Sequence, residues 1–540
     1  MTTAILQTAA GTVRGVESDG LRIFRGIPYA QPPLGFLRFQ APQPITNQRD
    51  LDATKFGAIA LQNPDRLDYI WGGYPASPDE DCLTLNIWAP SADGPLRPVM
   101  VWIHGGAFVF GSGSSFWYEG ARLARRGNVV VVTINYRLGV FGFLNLSGLG
   151  DTRYTESANC GLLDQIAALG WVKENIAAFG GDPANITVFG ESAGGASITC
   201  LMAMPRARGL FQRAIVQSGG PNLVHSAALS TQVAQAFLHL AGVARPEDLQ
   251  QMPTAELLQA QARLLAANDF GGDAVFGPTV DGVTLPRPPL HAIRDGSAAE
   301  VTLLTGMTRD EFRLWILTDP ILRWCRPSAL RRWLQTVTGT DGTAILNAYR
   351  TTRPNATAAE LTMAIFGDAV FRFPLVRLAE AQGLHRRDTR MYLFAWLSPA
   401  IRGIGAPHCI EIPFVFGNLG ASGVANLTGD GTDRAALSEA IQDAWINFAR
   451  TGNPEHAGLP AWPAYADGSR ATMIFDLPCR MEHDPGRAER AAWGAIPFDG
   501  VEPPMEVLPT MREFTWSAVF WPAVIFAGLL LVGVLALIWL

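Results

Sequence analysis

The stretch "ITVFGESAGGASITCLMAM" restricts the fold of this chain more than any other part of it. "ITVFG" is a short apolar, β-branched run and "AGGASITCLMAM" has the composition of a helix, so a strand has to become a helix within the few residues around Ser192. Gly190 and Gly194 stand two positions to either side of that serine. In such a turn strand and helix come close together, and a side chain at either glycine would collide. The Ser192 hydroxyl is then held out past the end of the strand, where the first free N–H groups of the helix also point. The pattern Gly-x-Ser-x-Gly is weak alone, and it is the strand before it and the helix after it that give it meaning.

The same strand-then-helix alternation runs through most of the chain. Apolar β-branched runs occur at "PVMVWIHGG", "NVVVVTIN", "ITVFG", "RAIVQSG", "VTLLTG", "RMYLFAW" and "ATMIFD", with helix-like segments between most of them. This is the sign of an α/β fold with a mostly parallel central sheet flanked by helices. From Thr231 to Ala267 and from Pro320 to Gly383 the pattern is helical without strands. In "SALRRWLQTVTG", Leu330, Trp333, Leu334 and Val337 fall on one helical face, with Ser328 placed to cap the start and Gly339 the end. These stretches are expected to form a helical layer over the carboxyl edge of the sheet. No repeat, long linker or charge block divides the first 500 residues. Residues 1–500 therefore read as one domain and 501–513 as a connector, the Pro- and charge-containing run from 484 being already linker-like.

Composition removes several classes of function. Acids and bases are spread along the chain at a net charge of −6, with no basic stripe for nucleic acid. Cys82, Cys160, Cys200, Cys325, Cys409 and Cys479 lack the short spacings of zinc or disulfide frameworks, so no metal is expected. The N-terminus has no basic start followed by an apolar core and does not read as a secretory signal. From Phe514 to Leu540 there is no charge, and Trp516, Trp521 and Trp539 stand near the two ends of this run. Roughly 20 apolar residues cross a bilayer, so the tail reads as a single-pass C-terminal transmembrane anchor. Membrane localisation with a cytoplasmic catalytic domain is the corresponding expectation.

A serine hydroxyl is a poor nucleophile at neutral pH and needs a base that is itself oriented by a carboxylate. On a strand–serine–helix turn of this kind, that of the α/β-hydrolase fold, the chain order is serine, acid, histidine. Of the histidines after Ser192, His225, His239 and His385 lie in helical or linking stretches, whereas His408 lies in the glycine-bearing loop "GIGAPHCIEIPF". "LLTGMTRDEF" puts both Asp310 and Glu311 at the carboxyl end of a strand, and spacing leaves both open. In "WIHGGAF", His104, Gly105 and Gly106 follow a strand. Bare backbone there lets N–H groups approach a developing oxyanion, worth ~3 kcal/mol each when well aimed.

These segments, together with "FRGIPYAQPPLGFLRF", "EDCLTLNIW", "GLLDQIAALGWVKENIAAFGGDPANITVFGESAGGAS" and "AWINFARTGNPE", closely resemble the type-B carboxylesterases, the family that includes the cholinesterases, from about residue 8 to residue 480. The resemblance implies an α/β-hydrolase that cleaves carboxylic esters without a cofactor. It implies Ser192 as nucleophile, His408 as base and Glu311 rather than Asp310 as triad acid. It also implies the N–H groups of Gly105, Gly106 and Ala193 as oxyanion hole, Glu191 as a supporting carboxylate, and Arg38 with Glu80 as a structural ion pair. Ala60 stands where the family usually has the partner of Cys82, which implies a free thiol there. Trp71 is one residue off the family's choline-binding tryptophan, so choline-ester specificity is not implied. The expected partner is a small-molecule or lipid ester, the lipid or an acyl-transfer role being tied to the anchor. A non-catalytic binding protein is the remaining alternative, and the complete serine, acid and histidine set speaks against it.

Overall fold

The structure is a computed structural model that describes residues 2–494 apart from 9–10, 46–49, 65–66, 93, 268–274, 318–326, 340–341 and 466–467. Among the described residues twelve strands run side by side through one thirteen-stranded sheet: β1 (Thr2–Thr8), β2 (Gly11–Ser18), β3 (Leu21–Pro28), β4 (Thr84–Pro90), β5 (Arg97–Ile103), β6 (Val130–Ile134), β7 (Gly181–Glu191), β8 (Arg213–Gln217), β9 (Thr302–Thr308), β10 (Arg390–Phe394), β11 (Ala471–Phe475) and β12 (Arg480–His483). Their spatial order is β1-β2-β3-β4-β6-β5-β7-β8-β9-β10-β11-β12, and a short strand at Leu51–Asp52 pairs with β2. The seven strands from β6 to β11 in this order are the seven apolar runs of the sequence, and every pairing among them is parallel. Near-continuous apolar composition suits them because helices cover both faces. The pairings of β1 to β4, of β4 with β6 and of β11 with β12 are antiparallel.

Residue alternation divides the core between the two faces. Val101, Ile103 and Val188 face α1 (Cys160–Asn175) and α2 (Ala193–Ala203), packing with Leu162, Leu169, Ala196 and Ile198. On the opposite face Met100, Trp102 and Phe189 pack with Trp445 and Phe448. The helices α3 (Ala227–Ala241), α4 (Thr254–Ala267), α5 (Pro327–Thr338), α6 (Thr343–Thr352), α7 (Ala358–Gly367) and α8 (Phe373–Gly383) occupy the two stretches read as purely helical. In α5, Leu330, Trp333 and Leu334 are buried and Gly339 follows in the left-handed region. Val337's side chain lies outside the described residues, and Ser328 sits one residue inside the helix rather than capping it.

Two expectations are corrected. The longest helix among the described residues is α9 (Arg434–Thr451), which supplies Trp445 and Phe448 and carries Arg434, Glu439, Asp443 and Arg450; no described helix is long and apolar enough to cross a membrane. Residues 514–540, on which the expected transmembrane helix rested, lie outside the described residues. The α/β-hydrolase fold therefore stands without the transmembrane helix, and the single-pass membrane localisation that depended on it falls as well. The run from 484 is also not a linker at its start. Helix α10 (Arg487–Gly494) packs on α6, where Trp493 is buried and its Nε1 donates to Tyr349 Oη at 3.1 Å, while Arg353 Nη1 meets Glu489 at 2.6 Å.

Arg38 and Glu80 form a buried two-pronged ion pair, with Nε to Oε2 at 2.8 Å and Nη2 to Oε1 at 2.5 Å. Arg38 Nη1 also donates to the carbonyls of Leu249, Gln250 and Met252, tying the segment between α3 and α4 to the N-terminal loops. Removing one partner leaves the other charge buried and alone, which costs about 3–5 kcal/mol. Glu80→Ala is expected to lower the unfolding free energy by an amount of that order, read as a lower urea unfolding midpoint. A midpoint equal to wild type would show that the pair carries no stability.

Candidate active site

The carboxyl ends of β5, β7, β8 and β9 and the loop after β10 meet in one place, and each supplies one part of a site. After β7 the backbone turns at Ser192 with φ 57° and ψ −122°, a conformation that costs a non-glycine residue of order 1–3 kcal/mol. Two hydrogen bonds hold it, Ser192 N to Gln217 O at 2.9 Å and Ala196 N to Ser192 O at 2.8 Å. The glycines behave as the sequence requires: a Cβ on Gly190 would lie 2.6 Å from Ile103 O, and one on Gly194 still closer to the same carbonyl.

The loop after β5 lies against this turn. A Cβ on Gly105 would fall 2.7 Å from Glu191 O and 3.1 Å from Ser192 Cβ. Gly106 has φ 107°, and its carbonyl accepts from Val109 N at 2.9 Å and Phe110 N at 3.0 Å. His104 pins the loop from below, its ring stacked 4.5 Å from Tyr136, whose hydroxyl donates to His104 O at 2.8 Å. Burial lowers the His104 imidazole to about 4, so it is neutral and structural. Ala193 opens α2 directly beside Ser192.

His408 Nδ1 lies 2.5 Å from Glu311 Oε2. The other oxygen of Glu311 accepts from Thr308 N at 2.8 Å and from Ser218 Oγ at 2.6 Å, so the carboxylate is fixed from three sides. Asp310, which spacing left equally open, turns away: its Oδ2 accepts from Ala406 N at 3.0 Å and pairs with Arg309 at 2.6 Å. Two histidines elsewhere are engaged, His385 Nε2 at 2.8 Å from Arg294 O and His456 Nε2 at 2.9 Å from Ala440 O. His408 Nε2 stands 3.1 Å from Glu191 Oε1 and makes no hydrogen bond of proper geometry. Phe371 and Trp315 cover its ring at 4.7 and 5.3 Å, which brings the helical region over the site.

Burial raises Glu191 to about 7, an effect only partly offset by His408. Burial disfavours the charged imidazole of His408, but Glu191 and then Glu311 outweigh it and raise the group to about 9. A third buried carboxyl, Glu411, is raised to about 8 by burial and by the other two, and accepts from Gln217 Nε2 at 3.3 Å. Ser218, Glu411, Trp315 and Phe371 were not singled out from the sequence; the first two lie in quoted segments, "AIVQSG" and "HCIEIPF", but only the fold turns them toward His408.

Ser192, His408, Glu191, Gly105 and Gly106 line one cavity of about 90 Å³ with Trp71, Tyr74, Phe110, Tyr118 and Trp315. A larger cavity of about 390 Å³ is lined by Arg309, Arg313, Arg353, Arg372 and Asp368 and includes neither Ser192 nor His408.

The model of the carboxylesterase family matches residues 2–493. This chain belongs to the carboxylesterase family. It is 42% identical to the para-nitrobenzyl esterase of Bacillus subtilis (strain 168), over 91% of this chain and 98% of that protein. To the phenmedipham hydrolase of Pseudarthrobacter oxydans it is 37% identical, over 91% and 99%. The crystal structure of a Geobacillus stearothermophilus carboxylesterase superposes with a TM-score of 0.82 at 42% identity, over 91% of this chain and 99% of that one. This carboxylesterase is therefore a serine hydrolase of carboxylic esters whose substrates are small-molecule esters. The lipid-esterase, acyl-transfer and non-catalytic alternatives are not favoured.

The steric reading of the turn is open to test. Gly194→Ala must push α2 away from Ile103, and a displacement near 1 Å at reacting atoms costs on the order of 10²-fold in rate. The variant is expected to lose at least about that much p-nitrophenyl acetate hydrolysis. Wild-type turnover in a folded Gly194→Ala protein would show that the close approach is not needed.

Proposed function

We propose that Ser192, His408 and Glu311 form the catalytic triad, that the N–H groups of Gly105, Gly106 and Ala193 form the oxyanion hole, and that Glu191 supports the imidazolium. The observation that carries this reading is the Glu311–His408 contact of 2.5 Å, with His408 on the wall of a cavity that Ser192 also lines. Ser192 Oγ attacks the ester carbonyl and His408 Nε2 takes its proton. Glu311 holds Nδ1 and so fixes the tautomer that leaves Nε2 able to accept. The carbonyl oxygen becomes an oxyanion beside the Gly105–Gly106 loop, where backbone N–H groups stabilise it without reorganising. His408 then returns the proton to the leaving alkoxide, and the alcohol departs. Water repeats both steps on the acyl-enzyme and releases the carboxylic acid.

The substrate class follows from the cavity. Its walls are aromatic and uncharged apart from His408 and Glu191, which favours neutral esters with a flat or aromatic part. The names of the two relatives, a para-nitrobenzyl esterase and a phenmedipham hydrolase, support an aryl-bearing substrate. Trp71, set aside in the sequence, belongs to this wall, stacked 6.4 Å from Phe110.

Three outcomes are expected. Ser192→Ala loses p-nitrophenyl acetate turnover by about 10⁴-fold or more, and the wild type releases a burst of p-nitrophenol before steady state; retained activity in the variant would refute the assignment. Rates across p-nitrophenyl esters of increasing acyl length favour short chains, and a maximum at long chains would refute the small-cavity reading. In the third, the carboxylates stabilise the charged imidazole, so activity falls as pH drops through the raised His408 value, where the base gains its proton. Glu191→Gln removes one raising charge and is expected to move this acid limb of kcat/KM to lower pH. An unmoved limb would remove Glu191 from the electrostatics of the base.

A further inference from the structure

Cys409 directly follows His408, and neighbouring residues in extended chain point their side chains to opposite sides. Here Cys409 has φ 70°, a left-handed conformation uncommon for a residue with a side chain. The result is that both side chains face Glu191: Cys409 Sγ lies 3.1 Å from Glu191 Oε1, and His408 Nε2 lies 3.1 Å from the same oxygen. One carboxylate oxygen, one imidazole nitrogen and one sulfur all lie within 4.8 Å of one another, and all three residues are buried. The imidazole nitrogen makes no hydrogen bond, although His408 is only 3% exposed, and its residue lines the cavity together with Glu191 and Cys409.

From this geometry we infer that Glu191, His408 and Cys409 form an inhibitory binding site for a thiophilic divalent cation of the zinc or cadmium kind. Zinc takes sulfur at about 2.3 Å and imidazole nitrogen or carboxylate oxygen at about 2.0–2.2 Å, in a tetrahedron that sets donor atoms about 3.5 Å apart. Small side-chain adjustments bring the three donors to that spacing. The mixed S, N, O donor set suits borderline-soft cations and not magnesium or calcium, which take oxygen donors. On binding, the Cys409 thiol gives its proton to solvent as the metal–sulfur bond forms, Glu191 contributes a carboxylate oxygen, and His408 contributes the Nε2 lone pair. The fourth position faces the cavity and holds water. Because that lone pair is the one that accepts the Ser192 proton, the bound cation removes the base from catalysis. The inference rests on the role proposed for His408, but the site itself exists whether or not that role is correct.

The test is a cadmium titration of the full chain, read by the ultraviolet charge-transfer band of a cadmium–thiolate bond and, in parallel, by p-nitrophenyl acetate hydrolysis. Wild type is expected to develop the band at one equivalent and to lose turnover over the same range, with both reversed by EDTA. Ser192→Ala, which lacks the nucleophile but no ligand, is expected to develop the same band, so binding is read without turnover. Cys409→Ala is expected to lose the band, and its own metal-free rate is expected to need at least about tenfold more cadmium for half inhibition, since even outer partners of metal ligands contribute 10–100-fold. Cys409→Ser is the second variant should the alanine protein fail to fold. Absence of a band in wild type, or a band and inhibition undiminished without the Cys409 sulfur, would overturn the site. A Cys409-dependent band with full turnover in the wild type would mean that the thiolate-bound cation leaves His408 Nε2 free, which overturns the three-ligand inhibitory site, whereas failure of the triad reading is seen separately as retained turnover in metal-free Ser192→Ala.

Discussion

The close approach of β5, β7 and α2 around Ser192 is the constraint on which the active site depends. Ile103 O lies within 2.6 Å of the place a Cβ would take on either Gly190 or Gly194, so the distance between strand and helix is set by bare backbone. At that distance Ser192 has to adopt φ 57°, and the strain is held by bonds to the neighbouring strand and to the first turn of α2. The same approach presses the Gly105–Gly106 loop against Ser192. Ser192 and the Gly105–Gly106 loop are thus positioned by one steric relation instead of several independent ones.

Electrostatics around His408 add a second level. Three buried carboxyl groups, Glu191, Glu311 and Glu411, surround one imidazole, and they are not equivalent. Glu311 accepts from Thr308 N and Ser218 Oγ besides touching His408, whereas Glu191 and Glu411 are raised toward neutral pH by burial. One fixed carboxylate holds the ring at Nδ1, and the attraction of Glu191 and then Glu311 favours the charged imidazole over the effect of burial. The cost is an imidazole that needs higher pH to lose its proton, and that holds Nε2 without a hydrogen bond beside a sulfur and a carboxylate.

Much of this was legible in the chain. The seven apolar runs became the seven parallel strands because a strand covered by helices on both faces must be apolar throughout, and that composition is visible locally. Gly190, Ser192 and Gly194 were readable because the turn has a steric rule tied to fixed spacing. The antiparallel strands β1 to β3 were less visible, since their mixed apolar and polar residues reflect one partly open face. The tail at 514–540 shows the limit of composition, for an uncharged run fixes a polarity and not a place in the fold.

By itself, then, the sequence determined the α/β alternation, the serine at a strand-to-helix turn, and two candidate acids with a histidine in a glycine-bearing loop, because each rests on residues near one another in the chain. Spacing left Asp310 and Glu311 open and the family resemblance implied Glu311; the tertiary structure turns Asp310 toward Ala406 and Arg309 and Glu311 toward His408. It alone brought in Ser218, Glu411, Phe371 and Trp315, and it alone turned Cys409 onto Glu191. These contacts join residues as far as 218 positions apart, and which of them meet depends on how the strands are ordered in the sheet, which local spacing does not encode.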